Sequence, residues 1–342
     1  MILICFGTRP EWLKIKPLLP HIPHKLLFTG QHQDLVDEVD FDYHCRLYDE
    51  GNNRLDSVIT CCLRGFPDDP DIDSVLVQGD TASAFACALA GFNRKLNVLH
   101  LEAGLRTNDL DHPYPEEGYR QMISRIATGH FCPTEDALKN LHEEKAPWRE
   151  LGIVVGNTVL DNLVESKGQF HYGNQVLITL HRRENHDIMP DWFKAVDELA
   201  AENPDLEFVL PIHPNPNVKK HADLLTHVKV VEPMDHGSLI SMLQSCLLTI
   251  TDSGGIQEEA SFFNKKSIVC REVTERPEGI ATGHTIMCPA PEILKEVFQQ
   301  VKEDPTIEAD CPYGDGYAAL RVKAFYEKDQ ALQAGGRIPQ GL

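Results

Sequence analysis

The apolar, β-branched run Leu247-Leu248-Thr249-Ile250-Thr251 breaks at Asp252-Ser253-Gly254-Gly255 and then re-enters a helix-compatible stretch, Ile256-Gln257-Glu258-Glu259-Ala260. This pattern builds a strand, a tight turn and an exposed helix N-terminus, which is a ready anion site. The glycines admit backbone N–H groups close to an anion, and the helix end adds about half a positive charge. Glu258 and Glu259 then have two readings: complements to the helix dipole in its first turn, or a carboxylate that grips a sugar hydroxyl of a nucleotide.

The rest of the chain repeats this grammar. Met1 to Phe6 is a short apolar run ending at Gly7-Thr8-Arg9-Pro10, and Glu11 to Leu19 follows as a helix. Strands are expected at Ser74 to Val77 and Asn97 to Leu101, separated by an Ala-rich helix over Ala82 to Phe92, with a later strand at Gly152 to Val155. A second series begins near Gln175, with strands at Val176 to Leu180, Leu206 to Leu210, Leu247 to Thr251 and Ser267 to Cys270, and a helix over Met189 to Ala201. Strand and helix alternate in both halves, so the fold class is α/β with two successive parallel, Rossmann-like units. The stretch Glu165 to Asn174, with Gly168 and Gly173, reads as the linker, and Gly335 to Leu342 as a frayed tail. The boundary between the two units is therefore expected at 167/168.

At 342 residues the chain has the length of about two domains. With 52 acidic against 32 basic residues the net charge is −20, which disfavours nucleic acid and anionic membrane surfaces as partners. An anionic ligand must be met by local basic groups. The ten cysteines show no paired two-residue spacing, so they read as reduced thiols with no metal site, and the apolar start is too short for a signal peptide or a span. A cytoplasmic location is the expectation.

In parallel α/β sheets ligands collect beyond the carboxyl ends of the strands. Those positions hold Arg9, then Asp80 and Thr81, Glu102 and Arg106, His181-Arg182-Arg183-Glu184, His213, and Ser253-Gly254-Gly255. Each alone reads first as a surface loop residue. Together the basic members suit a diphosphate, while Asp80, Glu102 and one of Glu116 or Glu117 suit proton transfer. The extra glycines of a dinucleotide fingerprint are absent near Gly7, and His21 and His24 lack companions at metal-ligand spacing, so neither NAD nor metal is demanded.

The motifs GTRPE (Gly7 to Glu11), TGQH (Thr29 to His32), GDT (Gly79 to Thr81), HLEAGLRT (His100 to Thr107) and PYPEE (Pro113 to Glu117) run in order along the first half. GNTVLDNL (Gly156 to Leu163), HRREN (His181 to Asn185), HPNPNV (His213 to Val218), DSGGIQEEA (Asp252 to Ala260), TERPE (Thr274 to Glu278) and PYGDG (Pro312 to Gly316) continue it. This ordered set resembles the non-hydrolysing UDP-N-acetylglucosamine 2-epimerases over most of the chain. The resemblance implies a GT-B type fold with the active site in the interdomain cleft, and a C-terminal helix at about 317–330 that packs back on the first domain, so that the domains are expected at 1–167 and 168–316. It implies epimerisation at C2 of a UDP-sugar by loss and re-addition of UDP through a bound glycal, no cofactor, and a homodimer.

By the same resemblance Asp80, Glu102 and Glu116 are acid/base candidates, with His181 near the phosphates and Lys14 and Arg9 as active-site cations. Arg182, His213, Ser253, Gly254 and Gly255 are expected at the UDP moiety, and Glu259 at the ribose hydroxyls. One departure concerns the second, activating UDP-sugar site of many bacterial members. Gln31 and His32 are kept, but Asp34 replaces a glutamine and Cys61 stands where an arginine is expected, so activation by substrate is expected to be weak or absent. The open alternatives are a hydrolysing relative, an epimerase of a modified UDP-sugar, and a glycosyltransferase of the same fold.

Overall fold

The computed structural model describes residues 1–32, 35, 37–47, 53–144 and 152–333. It divides into two compact units, one formed by Met1–Val164 with Gly314–Leu342 and the other by Glu165–Tyr313. The tail at Gly335 to Leu342 and the position of Asp34 lie outside the described residues.

In the first unit the described strands are β1 (Ile2–Phe6), β2 (His24–Phe28), β3 (Tyr43–His44), β4 (Ser74–Gln78), β5 (Asn97–Leu101), β6 (Gly129–Cys132) and β7 (Gly152–Val154). They form a parallel sheet of order β3-β2-β1-β4-β5-β6-β7. Helices α1 (Arg9–Ile15), α2 (Arg54–Gly65), α3 (Ala82–Asn93), α4 (Glu116–Ile126) and α5 (Glu135–Glu143) alternate with them. β1 and β4 are buried along their whole length, as continuous apolar runs covered on both faces must be. Alanines bring α3 close to the sheet, and a Cβ at Gly91 would stand 2.4 Å from Val75 Cγ1.

The second unit carries β8 (Gln175–Thr179), β9 (Glu207–Pro211), β10 (Lys229–Val231), β11 (Leu248–Thr251), β12 (Ser267–Val269) and β13 (Thr285–Met287), with helices α6 (Met189–Glu202), α7 (Pro216–Lys219), α8 (His236–Ser245), α9 (Gly254–Phe262), α10 (Pro277–Ala281) and α11 (Leu294–Glu303). Its order, β10-β9-β8-β11-β12-β13, repeats that of the first unit, with the first strand of the unit again beside the fourth. Trp192, Phe193, Phe208 and Phe298 fill its core.

α12 (Ala318–Gln333) belongs to the first unit, where Ala318, Ala319 and Val322 join the core of Ile2, Ile4 and Phe6. Its start is fixed by Asp161, whose carboxylate accepts the N–H groups of Ala318 and Ala319 at 3.0 and 2.7 Å. The stretch read as a linker is tied down in its later part. His171 and Gly173 donate to Gln244 and Ser245, and the buried Lys265 donates to the His171 carbonyl at 2.6 Å with its ammonium 4.2 Å from the Tyr172 ring centre. Burial lowers the Lys265 pKa to about 8. Among the described residues no helix is long and apolar enough to cross a membrane.

Candidate active site

Each sheet reverses its strand order beside its central strand, between β1 and β4 in the first unit and between β8 and β11 in the second. Loops leaving the carboxyl ends of such strands frame a crevice. The residues singled out from the sequence follow the carboxyl ends of these strands and of their neighbours in the two sheets, or lie on the helices that come next.

In the first unit Gly7 ends β1 where a Cβ would stand 2.0 Å from Thr29 Oγ1 and 2.4 Å from Ser83 Oγ, so no side chain fits. Thr8 caps α1 and forms a capping box with Glu11. Glu11 is buried and accepts from the Gly7 and Thr8 N–H groups at 3.0 and 2.7 Å and from Thr81 Oγ1 at 2.6 Å. Burial raises its pKa against the lowering effect of these donors. Glu11 therefore ties the β1 loop to the loop that carries Asp80. It was not among the expected site residues, although the Thr8-x-x-Glu11 spacing signalled its cap.

Asp80 follows Gly79, which has φ +68°, and accepts from Arg120 Nε at 2.7 Å. Arg120 comes from α4 and also meets Glu117 at 3.3 Å. Glu102 follows β5 with a left-handed φ of +64°, a conformation that costs a non-glycine residue energy and is held here by its surroundings. Its carboxylate receives Lys14 Nζ at 2.5 Å and also the Gln78 amide. Lys14 and Glu102 are both largely buried, with side chains 12% and 9% exposed.

The neighbours Glu116 and Glu117 separate cleanly. Glu117 is fully buried and accepts from the Thr107 and Asn108 N–H groups, Arg120 and Gln121, so it is consumed in shaping the loop. Glu116 opens α4 as a half-buried residue whose Oε2 is buried. Arg106 proves structural: it is buried and forks onto Glu144 at 2.5 and 3.1 Å. Arg9 is exposed and forks onto Glu38 at 2.8 and 2.7 Å.

Gln31 accepts from Ser83 Oγ at 2.7 Å, and the His32 N–H donates to the Gly7 carbonyl at 2.7 Å. Cys61 lies on α2, whose first residue, Arg54, donates to the Gln31 carbonyl at 2.6 Å. The arginine facing this loop thus comes from the start of α2.

In the second unit Asp252 is an organiser that its place between a strand and two glycines did not reveal. Fully buried at the end of β11, it accepts the His181 and Arg182 N–H groups, each at 2.9 Å on Oδ2, and the Asn185 amide at 3.0 Å. His181 stacks on His213 with ring centres 4.8 Å apart, and burial lowers the pKa of both imidazoles. Both rings are thereby biased towards the neutral form. Ser253 caps α9 without a side-chain cap bond, its own N–H donating to Thr251 Oγ1 at 2.9 Å.

α9 begins at Gly254, so Glu258 and Glu259 lie beyond the first turn, and the reading of either as a first-turn complement to the helix dipole is corrected. Glu258 shares a helix face with Gly254, four residues earlier. It accepts from Arg276 Nε at 2.7 Å, and a Cβ at Gly254 would stand 2.5 Å from Arg276 Nη1. Arg276 also pairs with Glu275, and Glu275 with Arg271 at 2.9 Å, which makes a buried ionic chain behind the helix start. Glu259 shares its face with Gly255, where a Cβ would meet nothing within 4 Å. Its carboxylate is met by His236 Nε2 at 2.8 Å.

A family model described as UDP-N-acetylglucosamine 2-epimerase matches residues 19–327. The UDP-N-acetylglucosamine 2-epimerase of Salmonella typhimurium is 35% identical, covering 94% of this chain and 96% of its own length. The crystal structure of the Neisseria meningitidis UDP-GlcNAc 2-epimerase bound to UDP-GlcNAc superposes with a TM-score of 0.85 at 34% identity, over 95% of this chain and 99% of that one. The Methanocaldococcus jannaschii UDP-GlcNAc 2-epimerase in complex with UDP-GlcNAc and UDP gives 0.79 at 27% identity, over 95% and 99%. The two Rossmann-like units expected from the alternation of strands and helices are the architecture these structures share.

Proposed function

Because the chain belongs to the UDP-N-acetylglucosamine 2-epimerase family, we propose that it converts UDP-N-acetylglucosamine and UDP-N-acetylmannosamine into one another without hydrolysis. The enzyme is an epimerase. The observation that carries it is the pair of anchored carboxylates at the ends of adjacent strands, Asp80 on Arg120 after β4 and Glu102 on Lys14 after β5.

Epimerisation at C2 needs a base to take the C2 proton and an acid to return one from the opposite face. In our reading the base takes the C2 proton, the electron pair of the C2–H bond forms the C1=C2 bond, and the C1–O bond breaks with its electrons leaving on UDP, giving a glycal and UDP. Re-addition of UDP to C1, with protonation at C2, completes the cycle, so nothing is oxidised. Asp80, Glu102 and Glu116 are the acid/base groups, and Lys14 supplies a cation beside one of them. The open start of α9 with Ser253, Gly254 and Gly255 takes the diphosphate, supported by Arg9, Arg182, His181 and His213. Glu259 takes ribose hydroxyls.

The same reading, supported by the motif resemblance, takes the enzyme as a cytoplasmic homodimer; sedimentation velocity checks the assembly. The activity is tested by incubating the purified protein with UDP-N-acetylglucosamine and following products by NMR. UDP-N-acetylmannosamine is the expected product, and free N-acetylmannosamine with UDP would replace this reading by a hydrolytic one.

A further inference from the structure

The two glutamates of α9 have different surroundings, and the difference is informative. Gly254 and Glu258 face the buried Arg276, whereas Gly255 and Glu259 occupy the adjacent face, open at the glycine and clasped at the carboxylate by His236. Four residues of helix rise about 6 Å, roughly the reach from a nucleoside's 5′-phosphate to its ribose hydroxyls. A diphosphate on the open helix start therefore places its ribose beside Glu259.

A glutamate has several rotors, and ordering them costs conformational entropy on binding unless something orders them first. His236 does so. It is the first residue of α8, and that helix start is pinned by Asp235, which accepts the Ser238 N–H at 3.0 Å and its hydroxyl at 2.6 Å. A carboxylate oxygen only accepts, so His236 Nε2 carries the proton in the 2.8 Å contact with Glu259 Oε1. The clasp engages Oε1 and leaves Oε2 to receive a hydroxyl. The Glu259 side chain is 7% exposed and that of His236 28%, so the carboxylate is the more buried member of the pair.

We propose that His236 is a positioning residue for the nucleoside, holding Glu259 so that the site selects ribose over deoxyribose. This rests on the reading of Glu259 as the ribose contact, and it adds a residue that acts through Glu259.

The test is calorimetric binding of UDP, 2′-deoxy-UDP and 3′-deoxy-UDP to the full-length wild type and to H236A, H236Q and E259Q. The wild type is expected to bind UDP at least about tenfold more tightly than one of the deoxy analogues, the size expected for a hydrogen bond to a charged acceptor. E259Q should bring that ratio within about twofold, and H236A should lower it several-fold by weakening UDP and leaving the deoxy analogue alone. H236Q, whose amide N–H can meet the same oxygen, should restore much of the ratio; in H236A turnover, KM should rise far more than kcat falls. A wild-type ratio in H236A, with the ratio lost in E259Q, overturns the role of His236 and leaves that of Glu259 standing. A wild-type ratio in E259Q, or none in the wild type, overturns the ribose contact and this inference with it. If H236A folds poorly, H236F decides the same question: a ring that cannot donate to Glu259 must lower the ratio, and a wild-type ratio in H236F overturns the role of His236.

Discussion

Lys14 Nζ stands 2.5 Å from Glu102 Oε2, and the two residues are 88 positions apart in the chain. The pair joins α1 to the end of β5 and puts a cation and a carboxylate into one contact. If this pair serves proton transfer, E102Q should lower kcat by about 10²–10⁴-fold while UDP affinity changes by less than about threefold. D80N should behave alike. Steady-state kinetics beside UDP calorimetry checks both, and parallel loss of turnover and affinity would assign these residues to binding.

The two glycines that open α9 should respond in opposite ways to alanine. At Gly254 the new Cβ meets Arg276 at 2.5, 2.6 and 2.9 Å, and moving that guanidinium disturbs its bonds to Glu258 and Glu275. G254A should cost about 2–4 kcal/mol in urea denaturation. At Gly255 nothing lies within 4 Å, so G255A should be neutral or stabilise by about 0.5–1 kcal/mol. Its UDP affinity should nevertheless fall, because the added methyl occupies the side on which a phosphate would approach.

Removing the Asp252 carboxylate leaves the His181 and Arg182 N–H groups and the Asn185 amide without this shared acceptor. D252A should therefore destabilise the protein by about 2–4 kcal/mol and weaken UDP binding. Thermal unfolding with and without UDP measures both effects.

Acid should destabilise the fold before the carboxylates titrate. Burial lowers the pKa of His100 to about 4, of His130 to about 3 and of His284 to about 4, from an ordinary 6.5. Between those values the unfolded chain takes up protons that the folded chain refuses, so stability rises with pH there. The contribution is complete above about pH 7 and is lost as pH falls from 6.5 through 4, by about 3 kcal/mol for each histidine. Urea midpoints at pH 7.5 and 4.5 check this, and H284Q should flatten the dependence.

The α12 latch is separable from the chemistry. D161A removes the acceptor for the Ala318 and Ala319 N–H groups, an N-cap loss of about 1–2 kcal/mol. Amide exchange over 318–328 should speed up accordingly.

The parts of the molecule most legible in the sequence were those governed by local pattern. β5 runs over Asn97–Leu101 as expected and α3 ends one residue beyond its expected limit, because an apolar run and an alanine-rich stretch each encode their own conformation. β6, Gly129–Cys132, carries a glycine and a histidine and was invisible; its strand state comes from pairing with β5 and β7. β10 is only Lys229–Val231, too short to show alternation. At the site, positions after strands were readable from topology, and the partners were not. Arg120 reaches Asp80 across 40 residues and Arg276 reaches Glu258 across 18, distances at which one sequence carries no periodic signal. Arg106 shows the converse: an arginine just beyond a strand looked like a ligand contact, and burial against Glu144 made it part of the frame.

The central claim is that the C2–H bond is broken while the sugar stays in play with UDP. Incubation of the enzyme with UDP-N-acetylglucosamine in deuterated water, followed by proton NMR, tests it most directly. The expected result is deuterium at C2 in both UDP-N-acetylglucosamine and UDP-N-acetylmannosamine as the two approach equilibrium, with exchange suppressed in E102Q and D80N. Formation of UDP-N-acetylmannosamine that keeps its C2 proton in full would contradict it.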